Sequence, residues 1–123
     1  MSLFPSPSFD HYWAMWNEGD PSKVRGHLDQ AVTVNFIFCD PLHFHVGRDA
    51  LEANVHGFRA EQPKVTFAVG SGVDSHHNRV RYEWHFIRGG RVLLRGFDVA
   101  TLADDGLIER IDGFFGELPA KSS

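Results

Sequence analysis

The stretch NRVRYEWHFIRGGRVLLRGFDVATLADDGLIERIDGFF, residues 78–115, decides the fold. Apolar and polar residues alternate along most of it with a period of two, which is typical of strands with one buried face. Gly89-Gly90 and Asp105-Gly106 interrupt the alternation and predict two hairpin turns. We therefore expect an antiparallel meander of three strands, Asn78 to Ile87, Val92 to Leu102 and Leu107 to Phe115, preceded by a strand from Lys64 to Val69.

The residues before this meander predict three helices and one more strand. A stripe of rings at helical spacing starts near Ser8, and Asp20-Pro21 supplies the N-cap and first turn of a second helix. The β-branched and aromatic run from Ala31 to Cys39 predicts a buried strand, and a third helical pattern ends before Pro63. Together these elements predict an α+β fold in which a strongly curved sheet wraps around the helices. The first helix's stripe consists of Phe9, Tyr12, Trp13 and Trp16, and the third pattern of Leu51, Val55 and Phe58.

Length and composition limit the classes of protein to consider. The 123 residues predict one domain, with short flexible ends at about 1–8 and 118–123. A net charge of -4 argues against a nucleic-acid partner, and no apolar run is long enough for a membrane helix. The single Cys39 cannot form an internal disulfide, so we expect a cytoplasmic protein. The 11 Phe, 3 Trp and 2 Tyr supply ample apolar surface for a core.

Two aspartates fall on mostly apolar strand faces. Period-two alternation places Asp40 on the same, inward face as Val34, Phe36 and Phe38, and Asp98 on the face of Leu94 and Gly96. An ionised carboxylate there is costly, so each aspartate should be paired, protonated or exposed to a ligand cavity. The simpler alternatives are that Asp40 caps the turn at Pro41, and that Asp98 meets an arginine such as Arg81 or Arg95.

Several short motifs resemble the NTF2-like superfamily, and within it the SnoaL-like polyketide cyclase and ketosteroid isomerase branch. They are YWAMWNEGD at residues 12–20, Asp40-Pro41 before Gly47 and a helix, GFD at residues 96–98, and GFFG at residues 113–116. The resemblance spans about Phe9 to Glu117. It implies a conical α+β fold with a deep apolar pocket, a lipophilic small-molecule ligand, no cofactor, and commonly a homodimer formed through the outer sheet face.

The resemblance also implies roles for three residues. Asp40 matches the general base of the isomerases, Tyr12 their oxyanion-hole tyrosine, and Asp98 their neutral oxyanion-hole acid. In cyclase relatives the aspartate of a GFD-like pattern is the acid/base group, so Asp98 is shared between the two interpretations. Isomerases can carry a supporting tyrosine where this chain has Val55, which leaves Tyr82 as a substitute. Tyr12 has a competing interpretation as an ordinary core residue.

The pocket's expected lining consists of rings and a few polar groups. His43 and His45 flank Phe44 just after Asp40-Pro41, and we expect one of them to be a proton shuttle or a hydrogen-bond partner of the ligand. A metal site joining them to Asp40 is disfavoured, since spacing supplies no third ligand. Which face of the strand 78–87 lines the pocket stays open at this stage. The other predicted lining residues are Trp16, Phe36, Phe38, Val55, Phe58 and Phe115.

The function predicted from the sequence is proton transfer on a lipophilic carbonyl compound, either isomerisation or aldol-type cyclisation. The alternative is a non-catalytic domain that uses the same pocket to carry or sense a ligand. Phe97, Val99 and Thr101 lie opposite Asp98 on their strand, so they should form an apolar outer face. That face is the expected homodimer contact.

Overall fold

A computed structural model describes residues 3–122 of the chain as three helices and seven strands. The helices are α1 (Ser8–Asn17), α2 (Pro21–Ala31) and α3 (Arg48–Glu61). The strands are β1 (Val32–Cys39), β2 (Phe44–Val46), β3 (Val65–Val69), β4 (Asp74–His76), β5 (Arg79–Arg88), β6 (Arg91–Leu102) and β7 (Ile108–Phe115). The α+β expectation is confirmed, while the three-residue strands β2 and β4 are additions that are too short for a periodic signal.

All seven strands belong to one mixed sheet. The order is β2-β1-β7-β6-β5-β3, and β4 pairs with β5 beside this path. Only the pair β1 and β7 is parallel, and the others are antiparallel. The helices and the inward side chains of the sheet form one core. Sheet residues at this core are Val32, Phe36, Phe38, Val80, Tyr82, Trp84, Ala100, Ile108 and Ile111.

The turns and caps follow the residues that the sequence supplies. The Asp20 carboxylate accepts the backbone N–H of Ser22 at the start of α2, with Pro21 in the first turn. Gly89 and Gly90 both have positive φ, which the tight β5–β6 hairpin requires and which glycine adopts without strain. The Asn17 side chain donates to the backbone oxygen of Phe67 and accepts its N–H, so the end of α1 is fixed to β3.

The sequence did not decide which face of β5 points towards the core, and the structure shows which one does. Val80, Tyr82 and Trp84 are buried, while Arg79 and Arg81 are exposed on the other side. The rings therefore point inward and the charges outward.

One placement differs from the sequence-based expectations. Val34 is 66% exposed, because the register between β1 and β7 shifts between Val32 and Ile37 and turns Val34 away from the core. Within the N-terminal end for which the sequence predicts flexibility, Phe4 stacks on Phe9, and the Ser6 and Ser8 hydroxyls donate to the Gly106 oxygen.

Candidate functional site

A cavity lies between the helices and the inner face of the sheet, and the predicted catalytic residues meet there. Its volume is about 180 Å³, and Tyr12, Asp40 and Asp98 all belong to its lining. Most of the remaining wall is aromatic: Trp13, Trp16, Phe38, Phe58, Phe67, Trp84, Phe86 and Phe115. Leu42, His43, Asn54, Leu94 and Gly113 complete the lining.

Asp98 is the buried acid of this cavity. The Tyr82 hydroxyl donates to its Oδ2 at 3.0 Å, and the Trp84 indole N–H donates to its Oδ1 at 2.9 Å. Burial raises the pKa of Asp98 to about 7, although both hydrogen bonds oppose the rise; the charges of Asp40 and Asp112 add to it. The carboxyl group therefore exchanges a proton near neutral pH.

The arginine partner that the simpler alternative gave to Asp98 is absent from this arrangement. Arg81 points to the opposite face and binds Asp74 there, with Nε 2.8 Å from Oδ2. The neighbours of Asp98 are instead a phenol and an indole. The sequence did not predict that Tyr82 and Trp84 donate hydrogen bonds to Asp98, although it indicated Tyr82 as a substitute for the supporting tyrosine. The alternation of β5, which places Tyr82 and Trp84 on one face, is the pattern that could have indicated these contacts.

Tyr12 lies in the cavity wall beside the acid. Burial raises the pKa of its hydroxyl well above 10, and the negative charge of Asp98 raises it further, while a hydrogen bond from Trp16 acts in the opposite direction. The hydroxyl therefore stays protonated and can donate a hydrogen bond to an oxygen in the cavity. It belongs to the ring stripe of α1 and to the cavity at once.

Asp40 caps a turn and also faces the cavity. Its Oδ1 accepts the backbone N–H groups of Leu42 at 2.9 Å and His43 at 2.8 Å, and lies 3.1 Å from His43 Nδ1. Asp40 and Asp98 approach each other across Gly113. A Cβ built on Gly113 would lie 2.9 Å from Asp98 Oδ1 and 3.5 Å from Asp40 Cβ.

The other predicted lining residues divide into two groups. Trp16, Phe38, His43, Phe58 and Phe115 line the cavity as expected. Phe36 and Val55 do not: both are completely buried, because their side chains belong to the hydrophobic core rather than to the cavity wall. Val55 therefore offers no group to a ligand in this structure.

His45 lies behind the wall. Its ring stacks on Phe38 with centroids 5.2 Å apart, and its Nε2 is 3.2 Å from Asn54 Nδ2. Burial lowers its pKa below 6.5, with help from repulsion by His43, so the ring is neutral at pH 7. Of the two histidines, only His43 reaches the cavity.

Residues 3–122 contain neither a cluster of metal-binding side chains nor a membrane-spanning helix. No group of three or more His, Cys, Asp or Glu side chains comes together as a metal site within that range. Nor does any helix there have the length and apolarity to cross a membrane.

The comparisons with known proteins agree with this architecture. A family model described as a SnoaL-like domain matches residues 9–111. The chain belongs to the SnoaL-like family. A solved structure of a candidate isomerase of the SnoaL-like family from Agrobacterium tumefaciens str. C58 is 30% identical, with a TM-score of 0.83 over 89% of this chain and 95% of that chain. None of the curated proteins matches the sequence.

More distant structures share the fold of this SnoaL-like chain. A candidate SnoaL-like polyketide cyclase from Jannaschia Sp. CCS1 is 14% identical, with a TM-score of 0.67 over 94% of this chain and 90% of that chain. An NTF2-like protein of unknown function from Cytophaga hutchinsonii ATCC 33406 is 12% identical, with a TM-score of 0.65 over 92% and 93% of the two chains. The SnoaL-like chain therefore has the NTF2-like fold that its motifs implied.

Proposed function

We propose that this SnoaL-like protein catalyses proton transfer next to the carbonyl group of a lipophilic small molecule, with Asp98 as the acid/base group. The observation that supports this most strongly is the position of Asp98: its carboxyl group lies in an aromatic cavity with a pKa of about 7. A general base is most effective when its pKa lies near the working pH.

The proposed step forms an enolate. The Asp98 carboxylate takes a proton from the carbon next to the carbonyl, the C–H electron pair becomes a C=C bond, and the carbonyl π pair moves to the oxygen. Tyr12 donates a hydrogen bond to that oxygen as its charge develops. Return of the proton from Asp98 to a different carbon completes an isomerisation. Attack of the enolate carbon on a second carbonyl, with protonation of the new alkoxide, completes an aldol cyclisation.

Asp98 is favoured over Asp40 as the base, because burial raises its pKa to about 7 and each of its oxygens accepts a single hydrogen bond, which leaves a lone pair for the proton. Oδ1 of Asp40 already accepts two backbone N–H groups and lies 3.1 Å from the His43 ring nitrogen, so this oxygen is committed to the turn. We assign Asp40 to the shape of the cavity mouth and to the position of His43. In the isomerase-type assignment Asp40 is the base, so an Asp40→Asn variant would lose its activity. With Asp98 as the base, the same variant keeps most of it.

Exchange of α-protons in D₂O tests the proposal without a known substrate, because isomerisation and aldol chemistry both begin with it. NMR would follow deuterium incorporation into small ketones such as 3-cyclohexenone. We expect Asp98→Asn to slow exchange about 10²–10⁴-fold and Tyr12→Phe about 100-fold. Asp40→Asn should retain most of the activity, and Asp74→Asn on the outer face serves as the control.

Two outcomes would count against the proposal. Equal exchange by wild type and Asp98→Asn would remove Asp98 as the base, and loss of exchange in Asp40→Asn alone would return that role to Asp40. Ketones that bind but never exchange above the buffer rate would support the alternative, a domain that carries or senses a ligand.

A further inference from the structure

The size of the cavity limits what it can hold. Its volume is about 180 Å³. An apolar cavity of about 150 Å³ holds one benzene molecule, and pockets for drug-sized ligands measure about 300–1,000 Å³. The cavity of this protein therefore fits one ring with one or two small substituents, and is too small for a four-ring skeleton.

The aromatic walls resist expansion because they contact one another. The ring of Phe67 is the common neighbour of five others, and a larger ligand would have to separate several of these contacts. Each aromatic pair stabilises the wall beyond the effect of burial alone. The centroid distances from Phe67 are 5.1 Å to Phe58, 5.7 Å to Trp16, 5.8 Å to Phe86, 5.9 Å to Trp84 and 6.4 Å to Trp13.

The wall has no free space behind Trp84. A Cβ built on Gly96 would clash with the Trp84 ring, so the indole packs directly on the backbone of β6. The other side of the Trp84 ring meets its aromatic neighbours, and its N–H is held by Asp98. The indole therefore cannot retreat to admit a larger molecule.

The polar groups of the cavity lie at two depths. Tyr12 and Asp98 are buried, with 2% and 5% of their surfaces exposed. His43, by contrast, lies at the mouth with 41% of its side chain exposed, beside the exposed Leu42. A ligand that fills the cavity therefore places one oxygen at the deep end, its ring among the aromatic walls, and its remaining substituent towards solvent.

The charges of the lining exclude ionised ligands. A carboxylate or phosphate would face both Asp40 and Asp98 in a space with little water. An ammonium group would lose its hydration among the aromatic walls, and the buried carboxyl group at the deep end, Asp98, is about half protonated at pH 7 because burial raises its pKa to about 7. The ligand is therefore uncharged.

We infer that the cavity selects a compact, uncharged, single-ring carbonyl or phenolic compound, with its oxygen at Tyr12, the neighbouring ring carbon towards Asp98, and its ring between the walls formed around Phe67. The orientation of the oxygen rests on the proposed function. The limits on size and charge rest on the cavity alone.

Intrinsic fluorescence gives a direct readout of binding, because all 3 tryptophans of the sequence, Trp13, Trp16 and Trp84, line this one cavity. Three phenols of increasing size, namely phenol, 2-naphthol and oestradiol, would be titrated into the full chain, with calorimetry as a second measurement. We expect phenol to bind at least about 10-fold more tightly than oestradiol. Equal or tighter binding of oestradiol would overturn the size limit.

A second series tests charge at constant ring size. Acetophenone, benzoate and benzylamine would be compared at pH 7, and we expect acetophenone to bind at least about 10-fold more tightly than either ion. Tighter binding of benzylamine would overturn the inference and indicate a cation site. Because these titrations do not measure turnover, single-ring binding without α-proton exchange would defeat the proposed function while leaving the size limit intact.

A wall variant should move the size limit. Phe58→Ala removes a ring that contacts Trp16, Phe67 and Phe86, so we expect the preference for phenol over 2-naphthol to fall about 10-fold. Phe114→Ala, on the exposed outer face, is the matched control and should leave the preference unchanged. An unchanged preference in a folded Phe58→Ala protein would contradict the assignment of the wall. If that variant does not fold, the wild-type series still tests the size limit.

Discussion

The missing side chain of Gly113 leaves the space that the Asp98 carboxyl group occupies. Gly113 lies opposite Asp98 in the register of β6 and β7, so its inner side faces the acid. The distance of 2.9 Å between Asp98 Oδ1 and a Cβ at this position is closer than real Cβ atoms come. Because two hydrogen bonds hold the carboxyl group, it cannot move aside freely.

Gly113→Ala should therefore displace Asp98 from the Trp84 N–H. We expect a loss of about 1–3 kcal/mol in the free energy of unfolding, measured by denaturant titration, and a parallel loss of α-proton exchange. Gly57→Ala is the control, because nothing lies within 4 Å of its Cβ and alanine favours the helix. Full stability and activity in Gly113→Ala would contradict the described packing.

The raised pKa of Asp98 also predicts how stability depends on pH. The pKa of Asp98 is near 3.8 in the unfolded chain and about 7 in the folded protein. The native state therefore binds this proton more tightly than the unfolded state does. This contribution is fully present below pH 4 and is lost as the pH rises towards 7, by at most about 4 kcal/mol in total.

Asp98→Asn should remove that dependence. The oxygen of the asparagine amide can accept a hydrogen bond from the Trp84 N–H, and its nitrogen can donate one to the Tyr82 hydroxyl. Both neighbouring side chains therefore keep a hydrogen-bond partner. We expect the difference in unfolding free energy between variant and wild type to shift in favour of the variant from roughly pH 4 to 7, as measured by urea titrations at several pH values. A pH-independent difference would show that Asp98 is not buried with a raised pKa.

At the scale of the element, one extra residue in β6 determines which side chain faces Asp98. Ile87 pairs with Val92 but Phe86 pairs with Leu94, so Leu93 forms a bulge. Beyond the bulge, Tyr82 is opposite Asp98. If Leu93 were paired within the ladder instead of bulged, the register of the hairpin would continue unshifted. Arg81 would then lie opposite Asp98, and the rings of β5 would point to the other face of the sheet.

This bulge explains why part of the site could not be predicted from the sequence. Alternation and the Gly89-Gly90 turn were enough to predict the β5–β6 hairpin, and the ring stripe and Asp20-Pro21 were enough to predict α1 and α2. The position of a bulge leaves no comparable mark, because it depends on how the sheet curves over the helices. The sequence therefore did not decide whether Asp98 contacts an arginine or the inward-facing rings of β5. Val34 on β1 was misplaced by the same kind of irregularity.

Deleting Leu93 should remove the bulge but keep Tyr82 opposite Asp98, because Ile87 would still pair with Val92 and Phe86 with Leu94. Leu93 is 53% exposed, so Leu93→Ala should change the unfolding free energy by no more than about 0.5 kcal/mol. The deletion should cost about 1–3 kcal/mol, because the strand loses the bend that the bulge gives it. Urea titrations at several pH values compare the two variants. A deletion variant that no longer shows the pH dependence expected from the buried Asp98 would contradict the described pairing.

At the scale of the whole molecule, the sheet has two unlike faces. The inner face supports the cavity, and the outer face exposes an apolar patch around the cross-strand neighbours Phe97 and Phe114, which are 37% and 62% exposed. Phe44 and Val46 on β2 are exposed as well. Large exposed apolar patches mark contacts between proteins. We therefore propose that the protein forms a homodimer through this outer face.

Phe114→Arg should weaken that dimer by at least about 10-fold in its dissociation constant, because it places a charge within the patch. Sedimentation over a concentration series measures the effect, and Leu3→Arg, at another exposed apolar residue, is the control. A wild-type protein that sediments as a monomer at every concentration would contradict the proposal. Comparable weakening in both variants would point to a general charge effect.

The pH dependence of α-proton exchange tests the central claim most directly, namely that Asp98 moves a proton within the cavity. Exchange of cyclohexanone in D₂O would be followed by NMR from roughly pH 5 to 9, with the buffer rate subtracted. The carboxylate is the active form, so the wild-type rate should rise about tenfold per pH unit below the pKa of about 7 and then level off, and Asp98→Asn should not show this rise. The same profile in both proteins, or a ketone that binds without exchanging at any pH, would contradict the account.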